Sequence, residues 1–257
     1  MRIATFNVNS LNARMEQLRR FVDEHGPDVL CLQETKLEDS RFPEAAMHDL
    51  GFEHVAFDGQ KSYNGVAMLS KLPLVDVQKN FRDGEPHPDK RILAATVAGI
   101  RIYGLYCPNG TQVGSERFHG KLDWYRRLRA ELDTHFTPAD DVLITGDFNV
   151  TPTETDCWDP FRSEGKLLCT NEEREVFEHL LDFGLTDSWR ERNPFSVEFS
   201  WWDYQKMGWQ RNQGLRIDHV LLTDSLLERC EAVTIHRDVR GWDSPSDHAP
   251  VSVDLSA

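Results

Sequence analysis

Asp141-Val142-Leu143-Ile144-Thr145-Gly146-Asp147-Phe148-Asn149 is a short apolar strand that runs straight into a polar cluster. The same layout recurs along the chain. Residues 2–8 alternate and turn polar at Phe6-Asn7-Val8-Asn9, and Asp28-Val29-Leu30-Cys31-Leu32 leads into Gln33-Glu34-Thr35. Arg216-Ile217-Asp218-His219 and Ser246-Asp247-His248 complete the series. One Asp or Asn after a strand is ordinarily a turn former. Recurrence is what carries weight. Strand ends gathered on one rim of a sheet would bring Asn7, Glu34, Asp147, Asn149, Asp218, Asp247 and His248 together.

The intervening segments set the fold class. Met15, Leu18, Phe21 and Val22 predict a helix over 13–25, stopped by Gly26-Pro27. Phe118, Leu122, Tyr125, Leu128, Leu132 and Phe136 form one apolar stripe, predicting a helix over 115–136. A further helix is expected over 172–183. Other strands are expected at 52–57, 64–70, 73–79, 91–97, 100–106, 199–203, 216–223, 231–237 and 250–255. Helices interspersed with direct strand–strand links suggest an α/β fold in which sheets pack together and helices cover the outside. Without repeats or a Gly/Ser linker, residues 1–257 read as a single domain.

Size and charge narrow the function. At 29.7 kDa, surface scaling gives about 11,600 Å² folded and about 43,000 Å² unfolded, so about three quarters is buried. A core of that size needs no disulfides. The net charge of −14 argues against a protein that coats nucleic acid and against a polybasic membrane-surface protein. No apolar run is long enough to span a bilayer, and the N-terminus lacks a signal-peptide layout. The five cysteines are scattered and form no CxxC pair, as expected of reduced thiols in a cytoplasmic protein.

Converged acids need a counter-charge. Four carboxylates within about 6 Å make six pairs, each repelling by roughly 2.8 kcal/mol at an effective dielectric of about 20. A bound cation, a protonated histidine or raised pKa values would relieve that. Oxygen ligands favour a hard ion, Mg²⁺ or Mn²⁺, and suit a substrate carrying phosphate. His248, following Asp247, could be held by a carboxylate and bind a phosphoryl oxygen.

These residues resemble the motif series of the exonuclease III family of abasic-site endonucleases. The resemblance rests on Phe6-Asn7-Val8-Asn9-Ser10-Leu11, Leu32-Gln33-Glu34-Thr35-Lys36, Tyr106-Cys107-Pro108-Asn109-Gly110, Gly146-Asp147-Phe148-Asn149, Gly214-Leu215-Arg216-Ile217-Asp218 and Ser246-Asp247-His248-Ala249-Pro250-Val251. It runs from residue 1 to about 253. Phe199-Ser200-Trp201-Trp202-Asp203-Tyr204 followed by Gly214 to Asp218 resembles the DNA-repair branch and not the inositol-phosphatase or sphingomyelinase branches.

The resemblance implies a four-layer α/β sandwich, with two face-to-face sheets between helices. It implies that Glu34 is the main metal ligand, assisted by Asn7 and Asp247. Asp147 would orient or deprotonate the attacking water, with Asn149 beside it. His248, paired with Asp218, would bind the scissile phosphate, Tyr106 would steady its charge, and Asn109 would add a donor. Trp201, Leu215 and Ile217 would line a pocket for a flipped-out abasic sugar. Because adjacent strand residues face opposite ways, one of Trp201 and Trp202 belongs to the core.

Lys61, Arg82, Lys90, Arg91, Lys121, Arg126, Arg127, Lys206 and Arg211 are candidates for backbone phosphate contacts. The loop 203–214 is the candidate DNA-inserting element. The implied enzyme is a monomer acting on damaged double-stranded DNA, cutting 5′ of an abasic site, with 3′→5′ exonuclease and 3′-phosphatase activities. Two alternatives are a phosphatase of small phosphate esters and a non-catalytic interaction protein on the same fold. The tryptophan-rich segment argues against the first and the intact polar rim against the second.

Overall fold

The protein is described here by a computed structural model covering residues 1–256, with Lys206 described by its backbone alone. The phosphate-contact expectation for the Lys206 side chain therefore lies outside the described residues. The strands are β1 (Arg2–Asn7), β2 (Val29–Gln33), β3 (His54–Asp58), β4 (Val66–Ser70), β5 (Val75–Lys79), β6 (Ile92–Val97), β7 (Ile100–Tyr106), β8 (Val142–Asp147), β9 (Leu185–Asp187), β10 (Trp201–Trp202), β11 (Gly214–Leu215), β12 (Asp218–Thr223), β13 (Cys230–Ile235) and β14 (Val251–Leu255). One six-stranded sheet has the order β13-β14-β1-β2-β4-β3 and the other β5-β6-β7-β8-β12-β9, while β10 and β11 form a small ribbon. The helices are α1 (Leu11–His25), α2 (Glu44–Asp49), α3 (Glu116–His135), α4 (Pro160–Ser163), α5 (Asn171–Leu181), α6 (Ser188–Arg192) and α7 (Asp224–Arg229).

Alternation along the strands builds the layers. In β2, Cys31 faces the opposite sheet, while Leu30 and Leu32 face the helices. Between the sheets, Ile3, Cys31 and Met68 meet Ala95, Ile102 and Leu143. The sheets approach closely enough that a Cβ on Gly104 would stand 3.1 Å from the Cys31 side chain. Phe6 and Leu32 pack under Leu18, Phe21 and Val22 of α1. Tyr103 and Ile144 pack under Leu122, Tyr125 and Leu128 of α3 and Phe177 of α5. This is the helix–sheet–sheet–helix sandwich that the motif series implies. Its exposed surface, 11183 Å², lies close to the scaling value for its mass.

Two crossovers put the chemistry on one rim. In β1–α1–β2 the strands are parallel, with Asn7 opposite Gln33. In β7–α3–β8 they are parallel too, with Tyr106 opposite Asp147. Parallel strands deliver their carboxyl ends to the same edge, where open α/β sheets place ligands. β12 runs antiparallel to β8 and begins there, with Asp218 opposite Asp147. β14 runs antiparallel to β1 with Val251 opposite Thr5, so Asp247 and His248 arrive just before it.

The helix ends have local causes. Ser115 caps α3 by accepting from the Phe118 N–H at 3.2 Å. Thr170 and Glu173 form a reciprocal capping box at the start of α5. The strand expected over 216–223 begins only at Asp218, and Arg216 just before it makes ion pairs with Asp156 and Asp187, each at 2.7 Å. The strand expected over 199–203 shortens to Trp201–Trp202. α2, β9, α6 and α7 are too short to show a period in sequence. Among the described residues, no helix is long and apolar enough to cross a membrane.

Candidate active site

The rim is built around the end of β8. At Gly146, φ is 145°, and a Cβ would stand 1.9 Å from the Leu105 carbonyl oxygen. Only glycine fits, and it turns Asp147 into the site. One Asp147 oxygen accepts the Asn149 N–H at 2.9 Å. The other accepts the Asn7 Nδ2 at 2.9 Å and lies 3.6 Å from His248 Nε2. Asn7 Nδ2 also donates to Glu34 at 3.0 Å. Lys36 Nζ reaches the other Glu34 oxygen at 2.9 Å.

His248 is clamped from behind. Its Nδ1 lies 2.9 Å from Asp218 Oδ2. The Ser200 Oγ fixes Asp218 by accepting the Ile217 and Asp218 N–H groups, each at 3.0 Å. The Ser246 Oγ donates to the Asn7 carbonyl at 2.7 Å and accepts the His248 N–H at 3.2 Å, tying the two strand ends together. Asn149 donates to the Cys107 carbonyl at 3.0 Å and accepts from Asn109 Nδ2 at 2.9 Å. Asn9, Ser10, Glu34, Lys36 and Asn149 all have left-handed backbone, with φ between 43° and 90°. Such conformations cost about 1 kcal/mol or more each in non-glycine residues, so surrounding contacts must hold them.

Electrostatics assigns protons. Burial pushes Asp147 up to about 7, with Asp218 and Glu34 adding to the rise and His248 and Asn7 opposing it. Burial opposes charge on His248, but Asp218 and Asp147 raise it to about 10, so it is an imidazolium at neutral pH. Burial also works against Glu34, yet the Asn7 amide and the Lys36 ammonium hold it below the usual carboxylate range. Burial, then Glu34 and Asp147, push Tyr106 well above the ordinary phenol value, leaving it an O–H donor.

Ligand atoms of Glu34, Asp147 and His248 lie within 4.8 Å of one another, a grouping able to hold a metal ion. With His248 protonated on both nitrogens, the two carboxylates are the donors, which fits a hard cation. The other two expected ligands make hydrogen bonds within the protein. Asp247 stands outside this trio: its oxygens accept from Asn9 Nδ2 and Trp201 Nε1, each at 2.9 Å. Asn7 presents its amide nitrogen, drawn by two carboxylates with few other donors, and its Oδ1 accepts the Asn9 N–H at 3.0 Å.

Beside the rim lies a cleft of about 230 Å³ lined by Trp158, Leu167, Cys169, Trp201, Gln213 and Leu215, among others. Trp201 pairs with Leu215 across the ribbon. Trp202 is buried with Phe199 and Ala249, so it is the core tryptophan of the adjacent pair. Ile217, expected to line the pocket, is 2% exposed and packs beneath it with Cys157, Leu168 and Cys169.

Most candidate phosphate contacts have partners within the protein. Lys121 is wholly buried, paired with Glu173 and bonded to the Asn149 carbonyl at 2.6 Å, so it cannot touch DNA. Arg82 pairs with Glu131, Lys90 with Asp58, Arg91 with Asp89, Arg126 with Asp123 and Arg127 with Asp83. Reading from sequence missed Lys36, Ser200, Ser246 and the Lys121–Glu173 pair. For Lys121 the signal was available: it falls between Phe118 and Leu122 on the apolar face of α3.

Residues 4–248 match the Endonuclease/Exonuclease/phosphatase family. The chain is 36% identical to exodeoxyribonuclease III of Haemophilus influenzae, with 98% of each chain covered. Its fold matches that of a 3′ phosphatase from Neisseria bound to a product DNA hairpin, with TM-score 0.95 and 38% identity over 100% of both chains. It also matches an AP endonuclease from Archaeoglobus fulgidus with TM-score 0.95 and 34% identity, again over 100% of both chains.

Proposed function

The chain belongs to the Endonuclease/Exonuclease/phosphatase family, and from that premise we propose that residues 1–257 act as one metal-dependent DNA-repair nuclease. It hydrolyses the phosphodiester 5′ of an abasic site and also removes 3′ nucleotides and 3′-phosphates. The observation that carries this reading is the Glu34–Asp147–His248–Asp218 cluster standing beside an aromatic cleft that contains Trp201. A small polar phosphate ester has no use for such a cleft, whereas a sugar without its base does.

Glu34 would be the main holder of a divalent cation, Mg²⁺ or Mn²⁺, which when bound supplies charge neutralisation at the phosphate and the leaving oxygen. The protein's own groups do the rest. Asp147 orients water and takes its proton, helped by burial that raises its basicity. The His248 imidazolium, steadied by Asp218, donates to a phosphoryl oxygen, as does the Tyr106 hydroxyl. Asn109 and Asn149 brace one another at the edge of this space. Asp247, through its bond to the Trp201 indole, fixes the pocket wall relative to the phosphate site. The enzyme works as a cytoplasmic monomer that visits damaged double-stranded DNA.

The test compares duplexes carrying an abasic analogue, a 3′-phosphate or a recessed 3′-OH, with and without Mg²⁺. Metal-dependent cleavage of the abasic duplex supports the reading, and no cleavage of any of them removes it. Trp201→Ala should reduce abasic-site cutting more than 3′-phosphate removal; equal losses would count against the sugar-pocket role.

A further inference from the structure

A second cluster of metal-binding groups lies away from the catalytic rim. His25 ends α1 on the outer face of the first sheet, next to the start of β1, where its carbonyl accepts Arg2 Nη1 at 2.6 Å. His236 and Asp238 follow the end of β13. Ligand atoms of the three lie within 4.8 Å of one another. The two imidazole rings are 4.2 Å apart, and Phe21 packs against both.

Two features distinguish this cluster from a chance stack of rings. The His25 Nε2 is buried and has no hydrogen-bond partner, an unfavourable state for a ring nitrogen. The His236 Nε2 sits 2.8 Å from the Ser252 Oγ. In the tautomer whose Nε2–H donates to Ser252, the Nδ1 lone pair is free, the arrangement in which a second hydrogen bond orients a ligating histidine. The nearby guanidinium of Arg2 is matched by Asp254, at 2.7 and 2.9 Å. Asp238 is exposed, so an ion can enter from solvent.

We propose that His25, His236 and Asp238 form a binding site for Zn²⁺, separate from the catalytic carboxylates. Two imidazoles and one carboxylate suit a borderline-soft ion such as Zn²⁺ and not Mg²⁺, and leave a fourth position for water. The ion would link the C-terminal end of α1 to the segment leaving β13, acting on stability and not on the chemical step.

The test uses the intact chain carrying Glu34→Gln, which weakens the catalytic cluster as a competing site. Calorimetry with Zn²⁺ should show one site, and saturation to about 100 times Kd should raise Tm by at least about 5 °C, while Mg²⁺ does neither. His25→Gln, His236→Gln and Asp238→Asn should each weaken Zn²⁺ binding by at least about tenfold. Each variant's fold is checked by circular dichroism. Asp238→Asn, at the surface, serves if a histidine variant fails to fold. Absence of stoichiometric Zn²⁺ binding, or binding unchanged in folded variants, overturns the proposal.

Discussion

Asp147 and His248 depend on each other. Asp147 is wholly enclosed, and its high proton affinity comes first from burial, then from Asp218 and Glu34. His248 keeps its proton because two carboxylates outweigh the cost of burying it. Replacing either by an uncharged amide removes one charge from this mutually stabilised pair. Asp147→Asn and His248→Asn should each lower kcat on an abasic duplex by at least about 100-fold, as loss of a general base or of a charge stabiliser does. Single-turnover kinetics at saturating DNA reads the chemical step directly, and near-normal rates for either variant would remove that residue from the mechanism. These two residues were legible in sequence because each lies in a polar cluster next to a strand. Asp247 was legible as a member of the rim but not in its contacts. Which way a carboxylate turns depends on donors distant in sequence, here Asn9 and Trp201.

The elements hold the rim from behind, and α3 and α5 meet there through Lys121 and Glu173. The Lys121 ammonium touches the carbonyls of Asn109 and Asn149, at 3.3 and 2.6 Å, while Glu173 also serves the α5 capping box. Burial drives the Lys121 pKa down, and Glu173 pulls it back up. Lys121→Met would strand a buried carboxylate and should cost about 3–5 kcal/mol in urea unfolding. Lys121→Met combined with Glu173→Leu should recover part of that loss; if the double variant is less stable than the single, the pair is not the cause. A similar argument applies to the loop before β12. Burial opposes the Asp156 charge, but Arg216 and Arg190 hold it well below the usual carboxylate range, and Asp187 is lowered too. Carboxylates depressed in the folded state stabilise it above their unfolded pKa, about 3.9, and lose that contribution as pH falls below it. Stability measured from pH 6 to pH 3 should therefore fall below about pH 4, and Asp156→Asn should flatten that fall. The long helices and strands of these layers were readable from their periods. The three-residue β9 and the start of β12 beyond Arg216 were not, because neither shows a local period and Arg216 is held by a buried ion network.

At the scale of the molecule, the net charge of −14 constrains how DNA is met. Several arginines and lysines expected at the DNA surface are already paired with Asp or Glu, including Arg82, Lys90, Arg126 and Arg127. Lys121 is internal. A charge engaged by its own protein releases few counterions when DNA arrives. On the proposed function, recognition would rest on the carboxylate–imidazolium site and the cleft beside Trp201, with a small number of phosphate contacts around them. Each contact contributes about 0.9 to the slope of log K against log salt on duplex DNA. The slope for an uncleaved abasic duplex, bound by the Asp147→Asn variant, should correspond to only about three or four contacts. Undamaged duplex should bind far more weakly at the same salt. Fluorescence anisotropy between 50 and 200 mM salt measures both quantities. A slope near −8, with similar affinity for damaged and undamaged duplexes, would mean that an extensive basic surface holds the DNA and that the site adds little selectivity.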